Sequence, residues 1–108
     1  MTIDRLIVTD VETSGLSPEA DHAIEVEGHT DDVAINTPHF PSNWELSSAR
    51  ASSVVRLFIE HGVAASRLTA VGSAANHPVA SNGTPEGRAR NRRVTVTILA
   101  PAAERPVQ

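Results

Sequence analysis

A chain of 108 residues with a formal charge of −4 has room for one domain and not two, and its negative balance argues against a general polyanion binder. Forty per cent of its residues are hydrophobic, but Phe40, Trp44 and Phe58 are the only aromatics, which suits a soluble globular fold and offers little for bases to stack on; no nucleic-acid partner is expected. Cysteine is absent, which excludes a disulfide framework and a thiolate metal site.

Residues 1–5 lack the basic segment and long apolar core of a secretory signal, and no apolar run approaches membrane-spanning length. Residues 5–9, Arg-Leu-Ile-Val-Thr, form a short β-prone run, followed by polar, turn-rich sequence through Ser17 and Pro18. Ile24, Val26 and Gly28 alternate with Ala23, Glu25 and Glu27, the pattern of a strand with one buried face. His29-Thr30-Asp31-Asp32 closes that strand and opens a loop carrying Pro38 and Pro41. A helix is predicted from about Asn43 to His61. Ser42 and Glu45 fit a capping box, Ala51, Val54, Val55 and Phe58 recur at helical spacing, and His61 and Gly62 suit the helix end. Leu68 to Val71 reads as a short strand and residues 72–78 as a loop. Thr84-Pro85 starts a helix that Gly87 keeps short. Val94, Val96 and Ile98, alternating with Thr95 and Thr97, give the last strand; Pro101 ends it, and residues 101–108 read as a disordered tail.

All nine basic residues are arginine, and Arg88, Arg90, Arg92 and Arg93 crowd together. Arginine suits the gripping of carboxylates in fixed geometry, although most such residues simply solvate a helix end. His22, His29, Asp31 and Asp32 lack any recognised metal-ligand spacing, so no metal or other cofactor is expected.

Three stretches together carry a resemblance. Residues 26–32, Val-Glu-Gly-His-Thr-Asp-Asp, resemble the G-H-T-D signature of OmpA-like domains. Ser42-Asn43-Trp44-Glu45-Leu46-Ser47 with Arg50-Ala51 resembles the family's N-x-x-L-S-x-x-R-A helix start. Residues 82–94 are similar to its N-x-T-x-x-G-R-x-x-N-R-R-V block. The resemblance covers roughly residues 23–100, and the long segment between Asp31 and Leu46 resembles the MotB type within the family, that of flagellar stator proteins. It implies an α/β (α+β) sandwich: a small mixed sheet with one long and one short helix, the family's first helix being missing. It also implies noncovalent, non-enzymatic binding of peptidoglycan through the diaminopimelate of a stem peptide, a homodimer, and a place on the periplasmic side of the cell envelope. By motif match, Asp31 and Arg50 would hold the diaminopimelate head, with Asn43 and Leu46 in support and Arg93 contacting ligand or bracing Asp31. The chemistry is sound, since a zwitterionic head needs an anion for its ammonium and a planar cation for its carboxylate. Arg50, read as near the helix N-terminus, would share that carboxylate with free backbone amides. By spacing alone, Asp31 would be a turn residue, Arg50 a solvated pair-former, Asn43 a cap and Leu46 core.

Residues 1–22 fit the family less well, since no long amphipathic helix precedes the second strand. The apolar faces of Ile24/Val26 and Val94/Val96/Ile98 are therefore expected to be partly uncovered. Leu6-Ile7-Val8-Thr9-Asp10-Val11-Glu12-Thr13-Ser14-Gly15-Leu16 faintly resembles the first motif of DnaQ-like exonucleases, whose carboxylates hold two divalent metals. Asp10 and Glu12 lack the further acidic ligands and general base of such an enzyme, so no catalytic residue is assigned. The alternatives are a fragment of such a metal-dependent 3′–5′ exonuclease fused to an OmpA-like domain, and a structural remnant without a working groove.

Overall fold

The computed structural model describes residues 5–9 and 22–99. Leu6–Thr9 form β1, Ile24–His29 β2, Leu68–Gly72 β3 and Arg93–Ile98 β4; Asn43–Glu60 form the long helix α1 and Pro85–Asn91 the short helix α2. The strands make one sheet in the order β1-β4-β2-β3. β4 runs parallel to β1 and antiparallel to β2, and β2 runs parallel to β3, so the sheet is mixed as expected. None of the described helices is long and apolar enough to cross a membrane.

The period-two pattern of β2 and β4 decides what the sheet buries. Ile24 stands opposite Ile98, Val26 opposite Val96 and Gly28 opposite Val94, which puts the apolar positions on one face. Helix α1 adds Ala51 and Val54 to the core cluster on that face, with Val55, Phe58, Val63, Leu68 and Ile98 packed around it. The opposite face is polar: Glu25 pairs with Thr97, Glu27 with Thr95 and His29 with Arg93. The expectation of partly uncovered apolar faces is therefore corrected for four of its five residues, while Ile98 is half-buried at the rim. Val26 and Val94 are 0% exposed, Val96 3% and Ile24 8%, because the two strands turn their apolar residues to the same side, where α1 lies.

Two glycines set how closely the helix sits. A Cβ on Gly28 would run into the Ser47 carbonyl, and one on Gly72 into Ser48, so the α1 backbone lies directly against β2 and β3. The helix ends follow the sequence. Ser42 Oγ accepts from the Trp44 amide at 3.2 Å and donates to the Glu45 carboxylate. Gly62, at φ +99°, turns the chain after His61 while its amide reaches the Ile59 carbonyl at 3.0 Å. Thr84 caps α2 through the Gly87 amide at 3.0 Å, with Pro85 in the first turn. At the far end of α2, the fully buried Asn91 secures the preceding loop. It accepts from the Val79 and Ala80 amides at 2.8 and 3.0 Å and donates to the Ala80 carbonyl at 3.0 Å and to Asn82 Oδ1 at 2.8 Å.

Candidate functional site

Beyond β2 the chain turns at the start of α1, and the loop after β3 is fastened to the same corner. The Ser73 amide donates to the Gly28 carbonyl at 3.0 Å and the Thr30 amide to the Ala74 carbonyl at 2.9 Å. The Ala74 amide in turn donates to Ser47 Oγ at 3.0 Å, where Ser47 is fully buried beneath the helix. These bonds hold Ala74 at φ +52°, a left-handed conformation that costs a non-glycine residue roughly 1–2 kcal/mol.

Asp31 lies at the centre of this corner. Its Oδ1 accepts from the Val33 amide at 3.0 Å, and its Oδ2 pairs with Arg92 Nη1 at 2.9 Å. Asn43, the first residue of α1, donates from Nδ2 to the Val33 carbonyl at 3.0 Å and lies 3.5 Å from the Asp31 carbonyl. The Asp31 side chain is 13% exposed and that of Arg92 36%, so the ion pair is shielded but still reached by solvent. A cavity of about 320 Å³ lies at the start of α1, lined by Ile35, Ser42, Asn43, Trp44, Ala74 and Asn76 among others. Trp44 forms an exposed part of its wall.

Of the residues singled out from the sequence, the fold brings Asp31 and Asn43 together. Leu46 and Arg50 are both half-buried on α1, at helical spacing from Asn43. Arg50 stands about two turns into the helix, so the amides without an intrahelical partner belong to residues up to Glu45, that of Trp44 being taken by Ser42, and not to it; that part of the expectation is corrected. A second correction concerns Arg93. It is buried at the start of β4, its Nη2 on the His77 carbonyl at 2.8 Å and its Nη1 on the Asn91 carbonyl at 3.2 Å. The arginine that meets Asp31 is its neighbour Arg92, because α2 ends there and the two side chains leave the backbone in different directions. The motif shows both arginines, and nothing in their spacing says which one turns outward.

A second polar group sits on the sheet face away from α1. Glu27 Oε2 lies 3.0 Å from His77 Nδ1 and accepts from the Ser73 hydroxyl, and Glu27 Oε1 lies 3.6 Å from His29 Nε2. Burial and the nearby Arg93 charge push the His29 imidazole down to about 4, against the opposing pull of Glu27. Burial raises the Glu27 carboxyl, but the Ser73 bond, the His29 charge and the bond and charge of His77 outweigh this and hold it below its usual value. Of the four groups weighed earlier as a metal cluster, only His29 takes part here; His77, fifty positions from Glu27, carries no signal in the sequence. Asp10 and Glu12 lie outside the described residues.

The OmpA family model matches residues 10–92. The chain belongs to the OmpA family. This OmpA-family chain is 47% identical over 77 residues to Motility protein B of Bacillus subtilis (strain 168), covering 70% of this chain and 30% of that protein. It is 40% identical over 78 residues to the peptidoglycan-binding protein ArfA of Mycobacterium tuberculosis (strain H37Rv), covering 72% of this chain and 23% of that one. The solved structure of the cell wall anchor of the T6SS from Pseudomonas aeruginosa matches with a TM-score of 0.69 and 47% identity, over 73% of this chain and 55% of that chain. The OmpA-like sandwich and the likeness to MotB read from the sequence are thus both found among its relatives. The chain spans less than a third of each of the two curated relatives.

Proposed function

We propose that this OmpA-family domain binds peptidoglycan noncovalently by gripping the diaminopimelate head of a stem peptide, Asp31 taking the ammonium and Arg50 the carboxylate. One observation carries the reading: Asp31 is held in place by the Val33 amide and by Arg92, and is still reached by solvent. An ionised carboxylate has about four lone-pair sites, and two protein donors leave capacity for an ammonium group. Arg92 and Asn43 orient Asp31 and its turn, Leu46 supports the helix side, and Arg93 braces the loop at His77. The cavity beside Asn43 and Trp44 has room for more of the peptide. ArfA is named as peptidoglycan-binding and the T6SS structure as a cell wall anchor, which supports the ligand class. No turnover is required of such a site.

The test is retention of the purified chain on peptidoglycan sacculi, with free diaminopimelate as competitor. Asp31→Ala and Arg50→Ala each remove one partner of a charge-assisted contact and should abolish retention, since truncating a shielded pair of this kind costs about 2–5 kcal/mol. Circular dichroism should show the fold intact. Wild-type retention by either variant, or indifference to diaminopimelate, sinks the assignment.

A further inference from the structure

We propose that Glu27, His29 and His77 form a binding site for a divalent transition-metal ion of the zinc class. The ligand atoms these residues offer all lie within 4.8 Å of one another. His77 Nδ1 is 3.0 Å from one Glu27 oxygen, and His29 Nε2 is 3.6 Å from the other. Around a tetrahedral zinc with bonds of about 2.0–2.2 Å, ligand atoms stand roughly 3.3–3.6 Å apart. The two contacts are to different oxygens of Glu27, so the carboxylate has to straddle the ion or turn one oxygen to it while the two imidazoles close. His77 can make that movement, because its side chain is 62% exposed on the loop after β3, whereas His29 at 3% is pinned in the sheet.

The donor set selects the ion. Two imidazole nitrogens and a carboxylate favour zinc, nickel or copper(II) over magnesium or calcium, which take all-oxygen shells. Three protein ligands leave a position for water on the side where His77 meets solvent. Outer contacts are in place as well: the Ser73 hydroxyl orients the Glu27 carboxylate, and Arg93 Nη2 fixes the His77 carbonyl at 2.8 Å. Two features oppose binding. Thr95 Oγ1, 3.2 Å from His29 Nε2, has to yield that contact to the metal, though it keeps the Glu27 carbonyl at 3.4 Å. The Arg93 charge repels a cation, so this site binds more weakly than a closed four-ligand structural site. It stands apart from the Asp31 reading, sharing none of the residues proposed to touch the wall peptide.

The chain, stripped with a chelator, is titrated with zinc sulfate by calorimetry, and its histidine ring signals are followed by NMR. One zinc per chain is expected, moving the His29 and His77 rings together. His77→Ala and Glu27→Gln should each weaken binding by more than the roughly 10–100-fold that loss of an outer-shell partner costs. His77 is exposed, so its variant should melt like the wild type. Magnesium sulfate should leave the rings unmoved. Absence of zinc binding overturns the site. So does binding unchanged in His77→Ala, which would assign the ion to His22, His39 or His61, and so does a response to magnesium alone.

Discussion

Asn91→Ala should be among the most costly single substitutions in the chain, and its cost can be worked from the bonds it breaks. The side chain is fully buried and makes four hydrogen bonds, three of them to the backbone of Val79 and Ala80. A typical bond contributes about 0.5–1.5 kcal/mol net, and a buried group left without a partner costs about 1–3 kcal/mol. Val79 is largely exposed, so water can recover its amide, whereas Ala80 is half-buried and both its amide and its carbonyl lose their partner. A loss of about 3–4 kcal/mol follows, a large share of the 5–15 kcal/mol that holds a domain together. At roughly 4–8 °C per kcal/mol for a domain this size, the melting temperature should fall by more than about 10 °C. Asn91→Asp keeps the two acceptor bonds but turns a buried carboxylate oxygen on the Ala80 carbonyl and Asn82 Oδ1, so it should be no milder than alanine at neutral pH. Thermal melting by circular dichroism, with urea denaturation as a check, decides the matter. If Asn91→Ala melts within about 3 °C of wild type, the loop from Val79 to Asn82 is not held by this side chain and the reasoning fails. Because Arg92 follows Asn91 directly, the alanine variant should also weaken wall binding below the melting transition.

Gly28→Ala forces a methyl group into the Ser47 carbonyl and should destabilise the fold by upwards of about 3 kcal/mol, read as a drop in urea midpoint; a tolerated alanine would mean that α1 can lift off β2. Arg92→Ala should reduce peptidoglycan retention without abolishing it, because Asp31 keeps the Val33 amide; equal retention would show that Arg92 does not orient the carboxylate. With metal chelated, stability should fall as the pH drops from about 6.5 to about 4. His29 stays neutral in the fold down to about 4, while in the unfolded chain it takes up its proton near 6.5, so acid favours unfolding by up to about 3 kcal/mol. Glu27, held low by its bonds, adds to the loss in the same direction at the acid end of that window. Urea midpoints that do not change between pH 7 and pH 4.5 would contradict this. No metal-dependent release of nucleotides from DNA is expected; such release, lost in Asp10→Ala, would overturn the binding-module reading.

The elements most readable in the sequence were those whose signals are local. Ser42 and Gly62 bracket α1, and the alternation in β2 and β4 names the buried residues, because capping and pleat act over a few positions. The motif match brought out Asp31 and Asn43, which the fold joins through the turn at Val33. Contacts between distant segments were not readable. The pairing of Arg92 with Asp31 depends on where α2 stops, and the meeting of His77 with Glu27 depends on a loop conformation fixed by Arg93 and by the Ser73 amide on Gly28. The polar face of the sheet was present in Glu25, Glu27, Thr95 and Thr97. Its meaning became clear only once the strand register placed those residues opposite one another, away from the helix.

The last of the four described strands lies inside the sheet. β4 separates β1 from β2, so neither the first strand nor the inner edge of β2 has its neighbour until residue 98 exists. The β2–α1–β3 unit can begin to pack earlier, but its central strand keeps one row of amides and carbonyls without partners until the C-terminal segment inserts. The sheet therefore closes by a late, long-range step, once residues 93–98 have been made. Any truncation that removes Arg93–Ile98 takes away two of the three strand interfaces at once, and such a product should be found with proteases and chaperones, not as a smaller folded domain.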